Sequence, residues 1–469
     1  MNSGPMSNAT TRTFSLIALG LHLVLVLVRP ISDPDIWWHL RTGGYILQTR
    51  SIPRSDIYSF TAFGKPWIAH EWLSEVAMYG VYHFLSWVGL IVIFALISAA
   101  VFFYVGYHCK APLYLIILAI LISHAAALVV LRDPRPRLLT LGFSAAFFVI
   151  IREFVRTGKS TALWILPALM IIWVNAHAGY PLGFVFILLA FVVLMSGKNR
   201  GNVRQLVVVL ALCVGAVLLN PHGVRMLWYP FETQFSAIQM AVISEWNAPN
   251  FKQLNTLPFL FLILVVLATL GLSRKRISGF DLLCLVMALF MSLRSYRHVS
   301  VLSLVAIPVL AEHSWDLISS EERVQRILEK SVPLILLAVV GIIHLPALYQ
   351  TIRHPIDLSE DPVSATAFLE QTRLPDNIFS KYDWNDYLIW NAPSRKVFID
   401  GRADMYGDEF LAEYVRLYTE GNNWEAIFEQ FGVRTIMIDV SSPLASEIRN
   451  KGDWTEVYRD NQAIIFTKR

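Results

Sequence analysis

The chain has 469 residues, 55% of them hydrophobic and only 16% charged, with a mean hydropathy of +0.51. A water-soluble protein of that composition would have nowhere to put its apolar surface, so the composition points to a membrane protein. The formal net charge of +4 is too mild for a nucleic-acid-binding face and excludes that class of partner.

In chain order, Arg12 precedes an apolar run from Phe14 to Val28 that is followed by Arg29-Pro30 with no small-x-small cleavage pattern, which predicts a retained first helix. Stretches long and apolar enough to approach the roughly 20 residues needed to cross a membrane lie near 14–30, 88–107, 111–131, 138–152, 160–175, 181–196, 204–220, 256–272, 279–293, 297–312 and 331–350. The expected fold is therefore a polytopic α-helical membrane protein of about eleven transmembrane helices. Segment 71–87 spaces Glu71, Glu75 and His83 among aromatics and suits an amphipathic interfacial helix. Cys109, Cys213 and Cys284 stand alone in or beside apolar runs and make neither a zinc site nor a disulfide framework.

Alternation of the spans collects Arg152, Arg156, Lys159, Lys198, Arg200, Arg204 and Arg274-Lys275-Arg276 on the inner side, as the positive-inside rule expects. The same alternation puts SDPDIWWHLRTGG, RDPRPR, NAHAGYP, NPHG and RSYRH on the outer side, together with nearly all the membrane-proximal His, Asp and Asn. Beyond residue 350 charge returns. The runs KVFID, RTIMIDV and AIIFTK read as strands, and DEFLAEYVRLY and NWEAIFEQF as helices. The expected domains are a membrane domain over 1–350, with a first outer loop at about 31–87, and a soluble α/β domain over 351–469 on the outer side.

Several groups can carry chemistry. Asp33 and Asp35 flank Pro34 directly after the first span, where they can share a divalent cation, Mg or Mn, or serve as a general base. The alternative is a hydrated stretch beside the aromatic belt formed by Trp37 and Trp38. His39 and Arg41 follow on the same segment. His70 and Glu71 open the second amphipathic segment and are able to complete a carboxylate-imidazole cluster with the aspartates, although Glu71 also suits a helix start electrostatically. Arg132, Arg135 and Arg137 suit a phosphate or pyrophosphate group, with anionic lipid headgroups as the competing reading. Arg294, Arg297 and His298 offer a second such clamp. Asn175, His177, Asn220 and His222 stand at the ends of two apolar runs, lining a cavity or capping helices. Asp400, Arg402 and Asp404 read as a salt-bridged turn after a strand.

The order of these pieces resembles the GT-C glycosyltransferases, especially the branch of protein O-mannosyltransferases and aminoarabinose transferases. The motifs are the acidic pair Asp33-Pro34-Asp35, the segment WWHLRTGGYILQ, Lys65-Pro66-Trp67, and the second amphipathic helix EWLSEVAMYGVYHFLS. The match is good over about the first 90 residues and elsewhere rests on layout. It departs from the family where Pro34 separates the acidic residues and Trp67 replaces a second proline. The resemblance implies an inverting transfer from a polyprenyl-phosphate sugar to an acceptor lipid, glycan or protein on the extracytoplasmic face; the length, the short loops and the lack of a disulfide framework fit a bacterial inner membrane. It makes Asp33 or Asp35 the base, sets the outer arginines on the donor phosphate, and gathers Glu71, His70 and the Asn/His residues around the cavity. A transporter or flippase for a lipid-linked substrate, and a non-catalytic assembly protein or receptor, are the competing readings.

Overall fold

The computed structural model describes residues 8–196, 202–318, 321–421 and 423–469; Lys198 and Arg200 of one expected inner loop lie outside them. The chain divides into two compact units that cut across sequence order. One comprises 1–31, 87–230 and 243–355; the other comprises 32–86, 231–242 and 356–469.

The first unit is a helical bundle. Among the described residues six helices are long and apolar enough to cross a membrane, among them Leu113–Leu131, Arg137–Thr157 and Tyr296–Ile318. Shorter apolar helices at Thr10–Leu25, Ala162–Ala176, Pro181–Ser196 and Val203–Val217 coincide with further expected spans. Helix Val299–Ile318 is the core: every residue from Val299 to His313 is buried, and it packs on Leu113–Leu131, Gly279–Arg294 and Leu257–Leu272. A helix apolar all round is stable only when other helices or lipid cover it on every side.

One end of this bundle holds a buried ion network. Arg152 donates from Nε and Nη2 to the two oxygens of Asp281 (2.7 and 3.0 Å), and from Nη1 and Nη2 to Glu312 Oε1 (3.2 Å each). Arg156 and Lys275 also reach Glu312. Arg152 is thus a structural residue joining three helices, where sequence alternation makes it a plain loop cation. Asp281, in the first turn of its helix, is held bidentately by Arg152, as burial of charge requires.

The second unit joins the first loop to the C-terminal segment. Helix Trp72–Tyr107 is broken at Ser86, whose φ of 57° and ψ of −167° are non-helical, and the unit boundary falls there. The break is where the sequence separates an amphipathic segment from a span. The sheet has the order β1-β2-β4-β3, with β1 (Ile378–Ser380) parallel to β2 (Thr435–Asp439). β4 (Ala463–Lys468) runs antiparallel to β2 and to β3 (Trp454–Arg459). RTIMIDV and AIIFTK form β2 and β4 as expected. KVFID does not form a strand: Val397 bridges only to Ser59 and Ile378. It instead receives the first loop, through Phe60 N–H to Val397 O (3.0 Å) and Val397 N–H to Tyr58 O (3.1 Å).

Arg402 locks that junction. Its Nη2 donates to Asp56 of the first loop and to Asp400 (2.5 Å each), its Nε to Asp400 (2.8 Å), and its guanidinium stacks against Tyr58 and Trp67. The salt-bridged turn expected at 400–404 is present for Asp400 and Arg402, and it reaches across to the loop. Replacing Arg402 by Gln strands two buried carboxylates, so the variant should lose about 3–5 kcal/mol, seen as a lowered thermal midpoint of the purified protein in detergent.

Candidate functional site

The candidate centre lies within the second unit, on helix Asp35–Thr49 and its neighbours. Pro34 stands at the head of this helix, and Asp33 caps it: Asp33 Oδ1 accepts from the Asp35 backbone N–H (3.0 Å). The two aspartates therefore have different roles. Asp33 is buried and orders the helix start, while the Asp35 carboxylate opens the first turn and is partly exposed.

Gly43 and Gly44 let this helix cross the one beginning at Trp72, since a Cβ on Gly43 would sit 2.1 Å from the Glu75 carbonyl oxygen. One turn before the crossing, His39 Nδ1 faces Glu75 Oε1 at 3.4 Å and Glu71 Oε2 at 3.8 Å. His70 Nε2 lies 3.5 Å from Glu71 Oε1. Burial opposes charge on both imidazoles, but the carboxylates outweigh it: His39 is raised above its ordinary value, and His70 reaches about 9. His39, Glu71 and Glu75 each offer an atom within 4.8 Å of the others, and Glu75 Oε2 is buried with no hydrogen-bond partner. An imidazole with two carboxylates fits a divalent cation such as Mn or Zn. Among the described residues this is where three ligands gather, and Asp33 and Asp35 are not among them. Arg41 follows two residues beyond His39, half-buried.

A carboxyl group unforeseen in the sequence completes the centre. Asp386, on helix Tyr382–Asn391, is buried and accepts from Gly401 N–H (2.9 Å). A Cβ on Gly401 would lie 2.6 Å from Asp35 Oδ1 and 2.7 Å from Asp386 Oδ2. Burial, then Asp35 and Asp400, push the Asp386 carboxyl well above the usual carboxylate range. Nearby, burial and the neighbouring Asp357 and Asp383 lift Asp361 to about 7. In DWNDY only the density of acids among aromatics hinted at this, because nothing local says which of them meets the first loop.

The remaining sequence candidates belong to the membrane unit. Arg135 Nη1 donates to Glu245 Oε1 (2.9 Å), Arg137 Nη1 binds the same oxygen, and Arg297 stacks 4.2 Å over Trp246. The arginines outweigh burial and hold Glu245 far below the usual carboxylate range. Glu245 was not anticipated; it stands in a stretch without membrane periodicity. Arg132, Asp133 and Arg137 line a shallow cleft with Leu27 and Ile91. Arg294 is exposed at a helix end, and the His298 ring packs edge-on to Trp246.

Asn175, Asn220, His177 and His222 join helix ends. Asn175 Nδ2 donates to Ile171 O and Leu219 O (2.8 and 3.1 Å), and Asn220 Nδ2 to Val174 O (3.0 Å). Asn220 Oδ1 accepts from His222 N–H, and His177 Nδ1 lies 2.8 Å from Thr140 Oγ1. These bonds favour the capping alternative for the asparagines.

No protein-family model and no curated protein matches the sequence. Solved structures do match in fold. The oligosaccharyltransferase AglB from Archaeoglobus fulgidus, in complex with an inhibitory peptide and a dolichol-phosphate, aligns with a TM-score of 0.63 at 10% identity, over 92% of this chain and 69% of that one. The Archaeoglobus fulgidus oligosaccharyltransferase in complex with Zn and sulfate gives 0.57 at 12% identity, over 91% and 68%. ArnT from Cupriavidus metallidurans bound to undecaprenyl phosphate gives 0.55 at 10% identity, over 98% of each chain. This chain accordingly shares the fold of these structures: a polytopic helical membrane protein with a small C-terminal sheet.

Proposed function

We propose that the protein is a glycosyltransferase that moves a sugar from a polyprenyl-phosphate donor to an acceptor hydroxyl or similar group on the extracytoplasmic face, with inversion. The observation that carries this reading is the fold shared with ArnT bound to undecaprenyl phosphate across 98% of both chains. It is supported by an Asp35 carboxylate that, unlike Asp33, is not the helix cap. Asp35 takes the acceptor proton as the acceptor oxygen bonds to the anomeric carbon; the bond from that carbon to the phosphate oxygen breaks, and its electron pair leaves with the polyprenyl phosphate.

The charge that develops on the departing phosphate needs cations. Arg132, Arg135 and Arg137 take that task in this reading, with Arg294, Arg297 and His298 as the second clamp. A phosphate there competes with Glu245 for Arg135 and Arg137. His39, Glu71 and Glu75 would hold a divalent cation, which polarises a phosphate or acceptor oxygen; the pair Asp33 and Asp35 is a weaker set because Asp33 serves the helix. The bacterial inner membrane as location, and His177 and His222 beside the acceptor path, extend the same proposal.

Radiolabelled polyprenyl-phosphate sugars presented to membranes test the reading. Asp35→Asn should abolish transfer, whereas Asp33→Asn, whose amide oxygen still accepts the Asp35 backbone N–H and caps about as well as a carboxylate, should leave measurable turnover. Wild-type inactivity over a broad donor panel, or turnover indifferent to Asp35→Asn, sinks the proposal. For the clamp, binding of undecaprenyl phosphate should weaken about tenfold in Arg137→Gln, the loss expected of a charge-assisted contact, and should tighten in Glu245→Gln. Equal affinity in all three proteins would place the phosphate elsewhere.

A further inference from the structure

Glu245 uses only part of the arginine site around it. Its Oε1 accepts from Nη1 of Arg135 (2.9 Å) and from Nη1 of Arg137. The Nε of Arg137, on the edge with which Arg152 grips Asp281 elsewhere in the same unit, is buried with no hydrogen-bond partner. The Tyr296 hydroxyl, close enough to Arg137 to feel its charge, is likewise buried without one. Charge is also left over. Among the described residues that line the cleft or act on Glu245, the arginines 132, 135, 137 and 297 stand against only two acids, Asp133 and Glu245.

The backbone that carries Glu245 is fixed independently of its carboxylate. The Ser295 hydroxyl donates to Glu245 O (3.1 Å), the Tyr296 N–H donates to Asn247 O (3.0 Å), and Arg297 stacks 4.2 Å over Trp246. The carboxylate is therefore a tethered anion, able to leave the arginines and return while its segment stays in place.

A phosphate monoester fits what Glu245 leaves unused. It presents three terminal oxygens and a charge of about −1.5 to −2 at neutral pH. A sugar phosphodiester resembles the carboxylate instead, with two terminal oxygens and a single charge. We propose that this site selects the monoester product, polyprenyl phosphate, over the phosphodiester donor, that Tyr296 donates to the additional oxygen, and that Glu245 releases the product by retaking Arg135 and Arg137. This rests on the reading of these arginines as the donor-phosphate clamp. The oxygen gained by the phosphate is the one that parts from the anomeric carbon, so a donor aimed at it stabilises the charge that develops as that bond breaks. A product held that well leaves slowly unless something competes for its contacts. The phosphate loosens one contact at a time, and the tethered carboxylate takes each vacated arginine before the phosphate can return to it.

Binding of two lipids with the same tail, undecaprenyl phosphate and its methyl ester, to the purified protein in detergent tests this without any sugar donor. The wild type should bind the phosphate at least about tenfold more tightly than the ester, and Tyr296→Phe should erase most of that preference by weakening the phosphate alone. In a chase experiment undecaprenyl phosphate should dissociate about tenfold more slowly from Glu245→Gln than from the wild type. Should that variant fail to fold, Glu245→Asp, whose carboxylate falls one methylene short of the arginines, should slow dissociation in the same direction. Equal affinity for the two lipids, a preference that survives Tyr296→Phe, or a dissociation rate indifferent to residue 245 would overturn the proposal. Binding of neither lipid would remove the clamp and the proposal with it. A wild type that binds and releases as expected, yet transfers sugar from no donor, would refute the transferase reading and leave the selective anion site standing; turnover that needs Asp35 in a protein without the preference would do the reverse.

Discussion

The Arg402 guanidinium, held between Asp56 and Asp400, is the constraint on which the second unit depends. A cation in that setting is tolerable only if its partners are fixed, and they are. Asp56 also accepts from the Tyr58 and Ser59 backbone N–H groups and from the Ser59 hydroxyl, and Asp400 from the Tyr406 hydroxyl. The Tyr58 and Trp67 rings cover the guanidinium and keep water from it. The same junction is reinforced by Lys65, which donates to Tyr406 O (2.6 Å), and by Thr61, which donates to Phe398 O (2.5 Å). With the first loop anchored in this way, helix Asp35–Thr49 packs on helix Tyr382–Asn391.

The membrane unit solves a different problem. Its core helix, Val299–Ile318, is covered on every side, and the network of Arg152, Asp281 and Glu312 fixes the arrangement of helices at one end with directional bonds that apolar packing alone does not supply. The cation clusters of the RDPRPR and RSYRH segments are drawn together by the 243–247 stretch, where Glu245 binds two arginines and Trp246 stacks on a third.

Much of this was legible in the sequence. Apolar length alone locates the helices, because the membrane allows few alternatives, and the change from amphipathic to uniformly apolar pattern near residue 87 marks the break at Ser86. The first-loop motif pointed to a cluster of His70 and Glu71 with Asp33 and Asp35, whereas the residues that gather are His39, Glu71 and Glu75. What stayed hidden depended on contacts distant along the chain. Asp56 and Arg402 are 346 residues apart, and no local pattern in KVFID tells that its edge receives the first loop instead of becoming a strand. Glu75 was undervalued because its helical neighbours say nothing of the imidazole that reaches it from another helix. Asn175 and Asn220, read in sequence as lining a cavity or capping helices, bond the carbonyls of Leu219 and Val174, partners that become visible only in three dimensions.

The junction between Asp56 and Arg402 also imposes an order on biosynthesis. The first loop emerges early, yet the residues that neutralise and cover it are made last. At roughly 5–20 residues per second, the loop waits on the order of tens of seconds while the intervening spans are inserted. Throughout that interval Asp56 has no guanidinium, so the nascent protein holds its bundle before its first loop is neutralised. A chain that stops short of residue 402 would be a membrane-embedded bundle with an unfolded loop, and quality control would meet it as a water-exposed defect beside a finished membrane domain.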